Sequence, residues 1–149
     1  MSKKVLLSRL KDQWKSYHPI FTVDEASLRK RVDNKWSAFE NLAHLGRYHE
    51  IFLMRLVRIC QEDNPQLGRY NPQKDDDFGV WLNLSTSDLK ADLRDLRTSL
   101  LEDLFSLEEI EFKRQGVHPT FGALSLTDWL RFFLIHEGHH LYLALVRSR

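Results

Sequence analysis

The sequence predicts an all-α protein built as a bundle of four helices. Four segments repeat apolar residues at helical spacing, and none sustains the period-2 alternation of a strand. Only six glycines and four prolines interrupt the 149 residues. A chain of this length can bury one sizeable core and is short for two, so residues 1–149 read as a single domain. Hydrophobic residues at 42% and charged residues at 29% are the composition of a folded, water-soluble chain.

The first helix runs from about Lys3 to Tyr17, with Leu6, Leu10, Trp14 and Tyr17 on one stripe. It is predicted to stop at His18-Pro19, because proline disfavours helical backbone in the residue before it. Thr22-Val-Asp-Glu25 then reads as a capping box for a short helical turn through Arg31. Asp33 is a good N-cap for the second and longest helix, which can run to Cys60 with Phe39, Leu42, Ala43, Gly46, Leu53 and Leu56 on its apolar side. Residues 61–85 carry two prolines, two glycines and the acidic run Asp75-Asp76-Asp77, too many breakers for helix. A long connection results, one that crosses the bundle, and its Tyr70, Phe78, Val80 and Trp81 predict that part of it packs down. The third helix begins between Thr86 and Asp88 and carries Leu89, Leu93, Leu96, Leu100, Leu104 and Leu107 at spacings of three and four, a core stripe. A Gly/Pro connection follows Phe112. Ser125-Leu-Thr-Asp128 then opens the last helix, which extends to about Arg147.

Charge excludes several functions. Twenty-two Lys+Arg against 21 Asp+Glu leave a formal +1, so no general field draws the chain to nucleic acid or anionic lipid. No apolar stretch approaches the ~18 residues of a membrane span. The start, MSKKVLLSRLKDQW, lacks the apolar core of a signal peptide, which predicts a cytoplasmic address. The single Cys60 cannot form an internal disulfide, and among Leu56, Val57 and Ile59 it reads as a core residue.

Seven histidines occur, and His136-Glu-Gly-His139-His140 groups three of them inside the last helix. Residues four apart on a helix differ by about 40° in direction, so His136 and His140 project side by side. Trp129, Phe132, Phe133 and Leu143 lie near the same stripe, which points the pair into the bundle. Two imidazoles confined in an apolar interior lose solvation, and a shared cation ligated by neutral nitrogens removes the penalty. A third ligand has to come from another helix, and His44, midway along the second, is the candidate. His49 competes with it but reads as solvated between Tyr48 and Glu50. Glu40 and Tyr48, one turn either side of His44, and His139 are candidates to orient groups at the site. HEGHH also satisfies the H-E-x-x-H pattern of zinc proteases. Too little chain follows His140 for a downstream third ligand, so Glu137 reads as a solvated or supporting group and not as a general base.

Trp36-Ser-Ala-Phe-Glu40-Asn-Leu-Ala-His44-Leu, Gly116-Val-His-Pro-Thr-Phe-Gly122 and Trp129-Leu-Arg-Phe-Phe-Leu-Ile-His136-Glu-Gly-His-His140-Leu together resemble the DinB/YfiT-like superfamily of bacterial four-helix metalloproteins. The resemblance spans the second to fourth helices. It implies an up-down-down-up bundle and one divalent ion per chain held by His44, His136 and His140 with water completing the shell; neutral imidazoles suit zinc or nickel first, and copper or iron as well. It also implies a homodimer and, by similarity to bacillithiol S-transferases and mycothiol-dependent maleylpyruvate isomerases, a small-molecule thiol cosubstrate. The family name implies no DNA binding. His118, before Pro119, reads as fixing the turn of its connection.

Three neutral ligands and an open position leave an ion its full charge, able to hold a thiol or water as an anion for transfer or hydrolysis. The competing reading is a noncatalytic, metal-tied or stress-associated bundle. No basic cluster in the sequence is obviously built to hold the carboxylates of a thiol cosubstrate.

Overall fold

Ser37, not Asp33, opens the longest helix. Its side chain accepts from the Glu40 amide while Glu40 reaches back to the Ser37 amide, a complete capping box. Asp33 and Asn34 instead take positive φ (55° and 59°) in the preceding turn, a conformation short polar side chains tolerate. In the computed structural model, which describes residues 1–149, the helices are α1 (Lys3–Trp14), α2 (His18–Phe21), α3 (Glu25–Arg29), α4 (Ala38–Gln61), α5 (Asp76–Leu82), α6 (Thr86–Ser106) and α7 (Leu126–Arg147). The helical path does not stop at His18-Pro19. Lys15–Tyr17 form a 3₁₀ turn and Pro19 sits at the start of α2, where its missing N–H costs nothing. The cap of α3 is Asp24, bonded to the Ser27 amide at 2.7 Å.

The four long helices α1, α4, α6 and α7 form the bundle. Their apolar faces close two core clusters. One joins Leu6 and Leu10 of α1, Phe52 and Leu56 of α4, Leu100 and Leu104 of α6, and Leu130 and Phe133 of α7. The other joins Tyr17, just beyond α1, to Phe39 and Leu42 of α4, Leu89 and Leu93 of α6, and Leu141 and Ala144 of α7. Following each helix from one cluster to the other gives its direction: α1 and α7 run one way, α4 and α6 the other. This is the up-down-down-up order. Because α4 and α6 are parallel, residues 62–85 have to return along the bundle, which is why the connection is long.

That connection is partly helical. Asp75 caps α5, and Asp76 and Asp77 fill its first turn, where acidic groups complement the helix dipole, so the acidic run starts a helix instead of preventing one. Phe78 and Trp81 are buried, whereas Val80 is exposed. Trp81 lies flat on Gly46 of α4, where a Cβ would fall 2.2 Å from the indole Cζ3, and its Nε1 donates to Glu50 at 2.6 Å. Gly46→Ala is therefore expected to cost about 1–2 kcal/mol, the overpacking penalty exceeding the gain in helix propensity. Urea unfolding measures the cost, and the tryptophan emission should shift red as the indole leaves its seat.

The chain departs from an all-helical one in a hairpin of β1 (Gln115–His118) and β2 (Gly122–Ser125), antiparallel with His118 opposite Gly122. Gly122 supplies the positive φ (75°) that a three-residue loop requires. With four residues per strand, the alternation is too short to read from the sequence. Ser125 then caps α7 by accepting from the Asp128 amide.

Candidate metal centre

The antiparallel packing of α4 against α7 brings His44 opposite His136 and His140, and one ring nitrogen from each lies within 4.8 Å of the others. His44 Nε2 and His136 Nε2 are 3.1 Å apart. His140 is oriented by Asn41, one turn before His44. The Asn41 amide nitrogen donates to the Ser37 carbonyl at 2.9 Å, so its Oδ1 is the acceptor facing His140 Nδ1 at 2.8 Å. That places the His140 proton on Nδ1 and leaves the lone pair on Nε2.

These three rings suit a divalent cation. A proton shared between His44 and His136 would satisfy one nitrogen pair and leave the third lone pair unmatched, whereas one cation is matched by all three. Ions bound by imidazole at about 2.0–2.1 Å separate neighbouring ligand nitrogens by roughly 3.0–3.4 Å, depending on geometry; the His44–His136 pair, at 3.1 Å, falls within that interval, and the His140 nitrogen lies within 4.8 Å of both. Burial keeps all three rings neutral. It lowers His44 to about 4; burial and the neighbouring histidines lower His136 to about 3 and His140 to about 2. Neutral imidazole is the ligating form.

Aromatic side chains enclose the centre. Trp36 lies 5.1 Å from His44 between ring centroids, Tyr48 lies 4.1 Å from His136, and Tyr70 stacks on His44 at 5.8 Å. Tyr70 comes from the connection and is tied there by its hydroxyl, which donates to Asp75 at 2.8 Å. Arg47 of α4 bonds the same carboxylate at 2.8 Å, so the connection is fastened to the helix that carries His44. A cavity of about 380 Å³ opens onto the three histidines, lined also by Trp36, Tyr48 and His118. His118 keeps the turn-fixing role expected of it, its Nδ1 accepting from the Thr120 and Phe121 amides at 3.0 and 3.1 Å.

Four residues have surroundings that the sequence left open or read differently. Glu40 caps α4 and pairs with Arg31, away from the histidines. His139 is exposed. His49 is buried, not solvated, with Nδ1 donating to the Leu45 carbonyl at 2.6 Å. Glu137 is fully buried and is no solvated group. It accepts from Gln13 at 2.7 Å and Tyr17 at 2.8 Å and pairs with Arg97, with His49 Nε2 3.5 Å away. Burial, the largest single effect, pushes its carboxyl up, but the Arg97 charge, the neighbouring His49 and the hydrogen bonds from Arg97 and Gln13 together outweigh it and hold the group below the usual range. Gln13, His49, Arg97 and Glu137 thus make a polar layer between the two apolar clusters, one residue from each long helix.

Asn41 escaped the sequence reading, although a polar residue three before a candidate ligand and on the same face was a usable signal. Asn41→Leu removes the hydrogen bond that orients His140, and metal affinity is expected to fall about 10–100-fold. Competition with a chromophoric chelator measures it.

Four long helices in up-down-down-up order, with three imidazoles converging from two of them, define a helical bundle with a histidine centre between its second and fourth long helices. The chain belongs to the DinB superfamily, whose family model matches residues 9–144. Its fold is similar to that of YfiT from Bacillus subtilis, described as a probable metal-dependent hydrolase with an unusual four-helix bundle topology. That similarity has a TM-score of 0.80 at 22% identity and covers 99% of this chain and 86% of YfiT. It is also similar to TT2238, a four-helix bundle protein, with a TM-score of 0.69 at 23% identity over 95% of this chain and 97% of that one. The uncharacterised protein YuaE of Bacillus subtilis (strain 168) is 36% identical over 58 residues, 39% of this chain and 36% of YuaE. The match therefore spans about a third of that relative's length. No helix is long and apolar enough to cross a membrane.

Proposed function

We propose that the protein is a metal-dependent enzyme in which His44, His136 and His140 hold one divalent ion, zinc or nickel, and a thiol or water is activated there for transfer or hydrolysis. The observation that carries this reading is the convergence of three neutral imidazoles at the floor of an open cavity. A closed structural site would have a fourth protein ligand; the residues lining this cavity include no cysteine or carboxylate, and the fourth histidine among them, His118, stands outside the cluster with its Nδ1 occupied by two backbone amides. The description of YfiT supports the hydrolytic form, and the resemblance to thiol transferases supports the other.

An ion bound here would supply Lewis acidity, lowering the pKa of a thiol or water placed on it. The chain's own groups do the rest. Asn41 fixes the His140 tautomer. Trp36, Tyr48 and Tyr70 restrict water around the rings, and burial keeps the Tyr48 phenol protonated, leaving its O–H able to donate to a developing anion.

Reconstituted protein is expected to catalyse thiol transfer to a small electrophile, or hydrolysis of an activated ester or amide. Chelation should abolish turnover and metal should restore it. His140→Ala, assayed beside the parent, should be inactive with either substrate. Turnover that survives in metal-free His140→Ala would refute the reading.

A further inference from the structure

The cavity over the histidines contains no carboxylate among its ten lining residues, yet two guanidiniums, Arg55 and Arg69, line it. Neither makes an ion pair with an acidic side chain, whereas the nearby Arg47 and Arg58 are paired with Asp75 and Glu62. Both are held in place by neutral partners. Arg55, on α4, donates to the Gly68 carbonyl at 2.7 Å and to the Tyr48 hydroxyl at 3.4 Å, and it lies over the Trp129 ring at 5.4 Å. Arg69, from the connection, donates to Thr120 Oγ1 at the hairpin turn at 2.5 Å. Each guanidinium has five N–H donors, so these contacts leave several on both free. His118 lies close to the pair: after burial, the charges of Arg55 and Arg69 are what lower its proton affinity. With Nδ1 occupied by two backbone amides, neutral His118 carries its proton on Nε2 and adds a third donor to the same wall.

Two fixed, unpaired cations beside a neutral donor, in a cavity with no acidic group, form a receptor for an oxyanion. We propose that Arg55 and Arg69 form an anion subsite of the histidine centre. It takes the carboxylate or phosphate of a small molecule whose reacting end meets His44, His136 and His140. The inference rests on the reading of that centre as the place where a small molecule reacts, and it narrows the substrate or cosubstrate to an anionic one. It also supplies what no run of basic residues in the sequence revealed, because 14 positions separate the two arginines and only the returning connection brings them together.

The test has two arms. In the first, full-length protein freed of metal is titrated with succinate and, separately, with inorganic phosphate, read by tryptophan fluorescence and calorimetry. Arg69→Gln, whose surface site makes misfolding a minor concern, should weaken binding about tenfold, and Arg55→Gln/Arg69→Gln about a hundredfold. Arg94→Gln, on α6 outside this cavity, should bind as the parent does. Binding of succinate alone assigns a carboxylate, and binding of phosphate alone a phosphate. Affinities that are the same in parent and double variant, or no saturable binding of either anion, would overturn the subsite. In the second arm, zinc-loaded protein is titrated with 3-mercaptopropionate and with 2-mercaptoethanol. The parent should prefer the carboxylate-bearing thiol about tenfold and the double variant should show no preference; an unchanged preference would also overturn the subsite. The two readings fail separately. A chain that takes up no metal but loses anion binding on removal of both arginines refutes the metal centre alone, and a metal-loaded chain indifferent to those arginines refutes the subsite alone.

Discussion

Arg97→Met is expected to lower the unfolding free energy by about 3–5 kcal/mol, because it leaves Glu137 as a buried charge without its cation. Both side chains are within 3% of full burial. Gln13 and Tyr17 would still donate to Glu137, but two neutral hydrogen bonds do not replace a guanidinium in the interior. For a chain of this size the melting temperature should fall by roughly 10 °C or more. Arg97→Met combined with Glu137→Met should recover much of the loss, since replacing both members of a buried pair by apolar groups of similar volume is commonly close to neutral. Thermal and urea unfolding of the two single variants and the double variant measure the coupling. Single variants within about 1 kcal/mol of the parent would show that the polar layer is not held by this pair.

Metal binding is expected to stabilise the bundle strongly, because the proposed ligands lie on two helices, His44 on α4 and His136 and His140 on α7. Unfolding separates them, so the ion favours the native state. At free metal about a thousandfold above the dissociation constant the gain is about 4 kcal/mol. A chelator should remove it, and the melting temperature should then fall by roughly 10 °C. His44→Ala leaves two ligands on one helix and should melt at nearly the same temperature with and without metal. Equal metal-induced shifts in the parent and in His44→Ala would mean that the ion binds elsewhere.

These two effects come from features of unequal visibility in the sequence. His136 and His140 were legible because both lie in one helix, where spacing alone fixes direction. His44 was legible as a candidate from its place midway along the second helix, and the resemblance agreed with it, but that this helix faces the pair is a matter of packing. The polar layer was harder to see. Arg97 falls four after Leu93 and three before Leu100, on the core stripe itself, yet the leucines around it made the face look uniformly apolar. Glu137, adjacent to a ligand, reads in the sequence as either solvated or supporting; its burial depends on Gln13 of α1, on Tyr17 just beyond it and on Arg97 of α6, partners no local pattern specifies. His49 was misread for the same reason.

Local signals also competed. Asp33 is a good N-cap type, but Ser37 and Glu40 form a reciprocal box that satisfies two backbone donors, and that pairing places the start of α4. The acidic run at Asp75 was read as a breaker when it is the cap and first turn of α5. Arg55 and Arg69 show the limit of reading along the chain. Each is unremarkable in its own segment, and the anion subsite exists only because residues 62–85 fold back past the histidines.

The central claim is that three histidines hold one metal ion. It is tested most directly by metal content, measured by plasma mass spectrometry on protein purified without a histidine tag or chelator, with His44→Ala and His136→Ala alongside. About one equivalent per chain in the parent, and little in either variant, is the predicted result. A parent that stays metal-free after incubation with zinc and with nickel, or variants that retain a full equivalent, would contradict it.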